Sequence, residues 1–171
     1  MRRVLALDLG TNTGWAMNVH QLMEEIECGD DIVLARHITS SGIKIFDGEI
    51  SGWRYLAFKQ WLDSQISTYK IDHIVYEETF SKGAYAARIL HGFLAMLQFT
   101  FAQRYPDVKT RLTMTKVRPS TLKKFSTGYG RATKDDMIQE YIKRFSYVPA
   151  DDNEVDALWL LEYSKKNGRA E

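Results

Sequence analysis

Two short apolar runs, each ending in an acid, constrain this chain more than any other feature. Val4-Leu5-Ala6-Leu7 stops at Asp8, and the run from Ile71 to Tyr76 stops at Glu77. Apolar runs of this length, bounded by turn residues, read as buried strands. A carboxylate at the end of such a strand is costly unless it is exposed at an edge, paired, or bound to a cation. If the two strands are neighbours, their terminal acids come side by side. Side chains alternate along a strand, so only one of Glu77 and Glu78 can face Asp8. Taken singly, Asp8 also reads as a cap on the turn that follows, and Glu77 as a surface strand end.

A third acidic segment lies near the other end of the chain, Asp151-Asp152-Asn153-Glu154-Val155-Asp156. On a helix, Asp156 shares a face with Asn153 and Asp152, while Asp151 lies well off it. Asp151 or Asp152 suits an N-cap, and acids at a helix start are favoured by the macrodipole. Capping does not explain Asp156, which sits beyond the first turn and is followed by Ala-Leu-Trp-Leu-Leu. Hard oxygen ligands with few histidines indicate Mg²⁺ or Mn²⁺ rather than zinc. Two such ions about 3.5–4 Å apart can activate a water and stabilise the leaving oxygen in phosphodiester hydrolysis. That chemistry needs no covalent nucleophile, and Cys28 with His20, His37, His73 and His91 shows no triad arrangement.

Between these segments the chain alternates strands and helices. Leu9 to Gly14 reads as a turn and Trp15-Ala16-Met17 as the returning strand of a hairpin. Asn18 to Asp31 reads as a loop, and Ile32–Ile38 and Gly42–Phe46 as further strands. A helix capped by Ser51 runs to about Tyr69, with Trp53, Leu56, Ala57 and Trp61 at helical spacing. Ala84 to Tyr105 reads as a long, mostly apolar helix stopped by Pro106. Val108–Met114 reads as a strand, and Thr115–Gly130 as a basic, turn-rich stretch. Thr133 or Lys134 opens a helix to about Arg144, Pro149 breaks the chain, and Asp151–Tyr163 forms the last helix. There is no repeat, low-complexity tract or linker, so residues 1–171 are expected to form one domain. Early strands followed by strand–helix units predict an α/β or α+β architecture with a mixed sheet.

Composition narrows the setting. Apolar residues make up 44% and charged residues 26% of the chain, as in an ordinary globular protein. One cysteine excludes an internal disulfide, and Met1-Arg2-Arg3 leads straight into the first apolar run. The expectation is a soluble, cytoplasmic protein without a secretory leader. No stretch approaches the roughly 18 consecutive apolar residues of a membrane span. The net charge is only +1, but residues 104–147 hold eleven basic and four acidic residues, against twelve and eighteen in the remainder. A basic segment beside an acidic remainder suits a protein that holds a polyanion near bound cations.

Four segments, in order, resemble the RuvC-type Holliday-junction resolvases. Leu5-Ala6-Leu7-Asp8-Leu9-Gly10-Thr11 with Thr13-Gly14-Trp15 resembles their first-strand motif. Ile74-Val75-Tyr76-Glu77-Glu78-Thr79-Phe80 resembles the second acidic motif, in which the first acid is the ligand and an aromatic follows three residues later. Gly128-Tyr129-Gly130-Arg131-Ala132-Thr133-Lys134 resembles their basic Gly-x-Gly segment, and Asp152-Asn153-Glu154-Val155-Asp156-Ala157-Leu158 their final acidic helix. Lys123-Lys124-Phe125 and the closing Asp-Asp-Asn-Glu are similar to phage-encoded members.

The resemblance implies an RNase H-like α/β fold, a mixed central sheet flanked by helices, and a homodimer that places two symmetric nicks in a four-way DNA junction. It implies metal ligation by Asp8, Glu77 and Asp156. The fourth ligand position falls on Asn153, with Asp152 as its competitor. Lys134 matches a lysine that stabilises phosphate charge near the cut. Lys123 matches a second basic position, with Lys124 competing, and Arg131 lies in the same DNA-binding segment. Phe80 matches an aromatic that contacts bases at the junction centre. Two other functions compete. One is a non-catalytic junction-binding protein, consistent with the neutral Asn153. The other is a fragment of an actin-like or sugar-kinase phosphotransferase, whose first strand and glycine turn look similar. That class needs two such domains facing a cleft.

Overall fold

The computed structural model describes residues 2–19, 38–48, 51–78, 83–104 and 112–168. The elements in chain order are β1 (Val4–Asp8), β2 (Asn12–Val19), β3 (Ile38–Ile45), α1 (Ser51–Tyr69), β4 (His73–Glu77), α2 (Ala84–Arg104), β5 (Thr113–Val117), α3 (Pro119–Thr127), α4 (Lys134–Phe145) and α5 (Asp152–Asn167). The sheet runs β3-β2-β1-β4-β5. β1 and β2 are antiparallel, as are β2 and β3, while β4 lies parallel to both β1 and β5. The sheet is therefore mixed, as its strand–helix order predicts.

The turn after β1 is closed by one side chain. The Thr13 hydroxyl donates to the Gly10 carbonyl at 2.7 Å and accepts from the Gly10 amide at 3.4 Å. Strand β2 starts earlier than expected, at Asn12, because Asn12 and Thr13 pair with Ile45 and Lys44 of β3.

Strand alternation then divides the core into two layers. Leu5, Leu7, Ile74 and Tyr76 face α1 and α2, where they pack with Phe58, Leu62, Phe93 and Leu97. Val4, Ala6, Ala16 and Val75 face the other way and pack with α3, α4 and α5. By the same alternation Asp8 and Glu77 lie on the α5 side. Helix α5 is buried continuously from Glu154 to Leu161. It lies between the sheet and α3 and α4, so its apolar run needs no polar face along that stretch. Trp159 ties these layers together. Its indole N–H donates to the Met137 carbonyl at 3.1 Å, and its ring meets Tyr141 edge-on at 5.2 Å.

Three further expectations change. The turn-rich stretch from Thr115 to Gly130 contains helix α3. Pro119 starts it, where a missing N–H costs nothing, and Gly128, at φ 84°, ends it by donating its N–H to the Lys124 carbonyl. Its buried residues are only Leu122 and Ser126, so the apolar signal is too sparse to stand out among serines, threonines and lysines. Strand β5 is Thr113–Val117, its register set by pairing with β4, so it runs on past the expected end at Met114; the expected strand's first residues, 108–111, lie outside the described residues. A single strand β3 replaces the separate Gly42–Phe46 strand. All but the last residue of the strand expected at Ile32–Ile38 lies outside the described residues, as do Cys28, His20 and His37.

Gly14 is the tightest point of this packing. A Cβ there would fall on the Asn153 carbonyl and crowd the Glu154 amide of α5. At Gly52, in α1, a Cβ would meet nothing within 4 Å. Gly14→Ala is expected to lower stability by about 1–3 kcal/mol through overpacking, whereas Gly52→Ala leaves stability unchanged or raises it by a few tenths to about 1 kcal/mol. Urea unfolding of the two variants beside the parent chain checks this difference.

Candidate metal centre

Strands β1 and β4 are parallel, with Leu7 beside Tyr76. The next residues in step are Asp8 and Glu77, so the two strand-end acids come side by side on one face. Opposite Asp8 on β2 stands Gly14, and the first turn of α5 enters over that glycine. The helix carries Asp156 into the same place. One oxygen from each of Asp8, Glu77 and Asp156 lies within 4.8 Å of the others. These acids come from β1, β4 and α5, far apart in sequence.

The donor set fits a divalent cation. Asp156 is only 2% exposed, and its Oδ1 has no hydrogen-bond partner among the described residues. A buried carboxylate oxygen left without a donor is destabilising, and three converging carboxylates suit a hard ion such as Mg²⁺ or Mn²⁺. The electrostatics agree. Burial pushes the Asp8 carboxyl up to about 7, and the negative charges of Glu77, Asp152 and Asp151 add to that shift while Lys134 opposes it. Burial also raises Glu77, against the pull of Lys134 and Lys123.

The remaining expected residues take distinct places. Lys134 is the first residue of α4, and its ammonium contacts Asp156 Oδ2. Its position is set by a capping box: the Asp136 amide donates to the Thr133 hydroxyl at 3.1 Å, and the Thr133 amide donates to Asp136 at 2.8 Å. Asp152 is exposed, lies 3.8 Å from the Lys134 ammonium, and stands outside the group of three. The Asn153 side-chain amide donates to Asp151 Oδ2 at 2.9 Å. Asp151 is the N-cap of α5, accepting from the Glu154 amide at 2.9 Å. Glu78 turns away to Lys116, at 2.7 Å. Lys123 is near enough to act on Glu77, while Lys124 and Arg131 are exposed. Phe80 lies outside the described residues. His73 pairs with Thr113 at 2.8 Å, at the far end of β4 from the acids.

Glu154 has a role that its place in the acidic segment conceals. It is buried, and it accepts from the Ser41 hydroxyl at 2.6 Å, the Tyr147 hydroxyl at 2.8 Å and the Ala150 amide at 2.6 Å. These bonds fasten the start of α5 to β3 and to the segment before the helix. The signal in the sequence is slight: an acid one residue before a run that is otherwise apolar. Its partner Ser41 is distant in the chain.

No protein-family model matches the chain, and no curated protein matches it. Solved structures do. Thermus thermophilus RuvC superposes with a TM-score of 0.70 at 15% identity, over 97% of this chain and 96% of that one. The chain has the RuvC-type, RNase H-like fold. The yeast mitochondrial Holliday junction resolvase superposes with a TM-score of 0.59 at 11% identity, over 94% of this chain and 76% of that one. The fowlpox virus resolvase, solved with its substrate Holliday junction DNA, gives 0.51 at 14% identity, over 95% and 99%. Thermus thermophilus RuvC has also been solved with a Holliday junction substrate. At such identities the likeness establishes the fold, and the chemistry rests on the site's own geometry.

That geometry sets a pH dependence. An unfolded Asp8 loses its proton near 3.8, whereas the folded one keeps it up to about 7. Between those values the folded state binds more protons, so stability falls as pH rises. Thermal unfolding in EDTA is therefore expected to give a higher Tm at pH 5 than at pH 8. Added Mg²⁺ raises Tm more at pH 8, and Asp8→Asn flattens the slope. A Tm in EDTA that rises across this window contradicts the assignment.

Proposed function

We propose that this chain is a divalent-metal-dependent endonuclease that resolves four-way DNA junctions and related branched DNA. The observation that carries the proposal is the convergence of Asp8, Glu77 and Asp156 from three distant segments within 4.8 Å. The RuvC-type fold supports the choice of substrate. Asp8, Glu77 and Asp156 are the metal ligands in this reading. Mg²⁺ or Mn²⁺, two ions per site, supplies an activated water and a counter-charge for the leaving oxygen. Asn153 fills the fourth ligand position: its amide nitrogen is engaged by Asp151, which leaves the amide oxygen as its ligand atom. Asp152 is the competitor.

The chain's cations do the rest. Lys134 meets the phosphate at the cut, and Lys123 stands beside Glu77. Lys124 and Arg131, both exposed, follow the DNA backbone, where contacts give affinity without base specificity. Phe80 stacks on bases at the junction centre, a contact typically worth about 1–3 kcal/mol. Two symmetric nicks require two sites, so the working form is a homodimer. Helix α2 buries Phe93, Leu97 and Thr100 but leaves Tyr85 68% and Phe99 50% exposed, which supports α2 as the dimer face. No helix among the described residues is long and apolar enough to cross a membrane. The setting proposed is the cytoplasm of a bacterial or phage-infected cell.

A cleavage assay on a mobile four-way junction tests this reading. Paired nicks are expected with Mg²⁺ or Mn²⁺ and none with EDTA. Asp8→Asn and Asp156→Asn are expected to slow cutting by roughly a hundredfold or more, since each removes a metal-holding charge. Cutting at the parental rate by both variants sinks the site. Tight junction binding without cleavage by the parent chain assigns it to the non-catalytic class. Sedimentation of the free protein is expected to show a dimer, with Phe99→Asp shifted to monomer.

A further inference from the structure

Among the described residues, one cation touches the acidic site. The Lys134 ammonium contacts Asp156 Oδ2 and lies 3.8 Å from Asp152 Oδ2. Its charge also opposes the upward shifts of Asp8 and Glu77. The two partners differ in freedom. The Asp156 side chain is 3% exposed and is held in the packed body of α5, whereas that of Lys134 is 43% exposed. The backbone of Lys134 is fixed by the Thr133–Asp136 capping box, and α4 is pinned to α5 through Trp159. What can move is the four-carbon stem, with a compact, strongly hydrated charge at its tip.

A divalent ion held by Asp8, Glu77 and Asp156 would need the oxygen that Lys134 now contacts, or would sit beside it. Two cations that close repel strongly in a partly buried site. Asp156 cannot retreat, but the lysine can swing outward.

We propose that Lys134 is the resident counter-cation of the acidic site: it holds Asp156 while no divalent ion is bound, and metal binding displaces it toward the face where a DNA phosphate would lie. The first step rests on the metal-site reading, and the second on the nuclease reading. Metal loading and phosphate grip are then coupled. The displaced ammonium is released from Asp156 and free to meet a phosphate, so each ligand strengthens binding of the other.

The test uses the full chain without DNA. Mn²⁺ binding is measured by calorimetry for the parent, Lys134→Met, Lys123→Met and Asp156→Asn. Lysine acylation is mapped by mass spectrometry with and without Mn²⁺. Lys134→Met is expected to bind Mn²⁺ about fivefold tighter or more, in the usual range of a coupling between two competing ligands. Lys123→Met, which removes a nearby charge but no contact with Asp156, is expected to change affinity by less than about twofold. In the parent chain Mn²⁺ is expected to raise acylation of Lys134 several-fold and leave Lys123 and Lys124 unchanged. Lys134→Met binding Mn²⁺ no tighter than the parent, or Lys134 acylation indifferent to Mn²⁺, overturns the proposal. Should Lys134→Met fail to fold, the acylation map of the parent decides alone. No Mn²⁺ binding by the parent, or binding unaffected by Asp156→Asn, overturns the metal-site reading itself and the proposal with it.

Discussion

The structure depends on how closely α5 lies against the sheet. At Gly14 there is no room for a side chain, because the Asn153 carbonyl occupies that space. One residue further on, Glu154 is buried under three hydrogen bonds from Ser41, Tyr147 and Ala150. A buried charge is tolerated only with such compensation. Further along, Trp159 packs against α3 and α4 and bonds Met137. The first turn, where site and sheet meet, is thus held by backbone contact and polar bonds. The rest of the helix is held by apolar burial.

That docking brings a third acid to a place where two already stand. Asp8 and Glu77 are side by side because β1 and β4 are parallel and in register. Burial disfavours the charged form of both, and for Asp8 the negative charge of Glu77 adds to it. Asp156 adds another carboxylate with one oxygen lacking a donor. Carboxylates gathered this way are electrostatically incomplete without a cation. Lys134 supplies one positive charge at the edge of the group, and a divalent ion would supply more. Helices α3 and α4, which pack against α5, present Lys123 and Lys134 beside the acids, so the basic segment of the sequence meets the acidic ones at a single surface.

Local patterns were legible where they carried a strong physical signature. Val4–Leu7 and Ile74–Tyr76 are buried on both sides, so they appear as unbroken apolar runs. Helices α4, with its capping box, and α1 both appear close to their expected bounds, but α1 buries Phe58, Leu62 and Ile66 and leaves Trp53 and Leu56, expected on its apolar face, exposed. Helix α3 was hidden because only Leu122 and Ser126 are buried, and its ends depend on Pro119 and Gly128 rather than on periodicity. Strand β5 runs past its expected end because its register comes from pairing with β4, a long-range property. Glu154 looked like one more member of an acidic cluster, since nothing nearby in sequence tells a ligand acid from a structural one.

By itself the sequence determined the class of fold, the two strand-end acids, and Asp156 as an acid that capping does not explain. These follow from local rules: side-chain alternation, helical spacing and the cost of a charge beside apolar residues. Only the tertiary structure decided that the three acids meet, that Asp151 caps α5 while Glu154 anchors it, and that Lys134 rather than a neighbouring lysine touches Asp156. Those outcomes turn on a parallel register between strands far apart in the chain and on a glycine that lets a helix approach. A through-space contact of that kind leaves no periodic trace in the residues that make it.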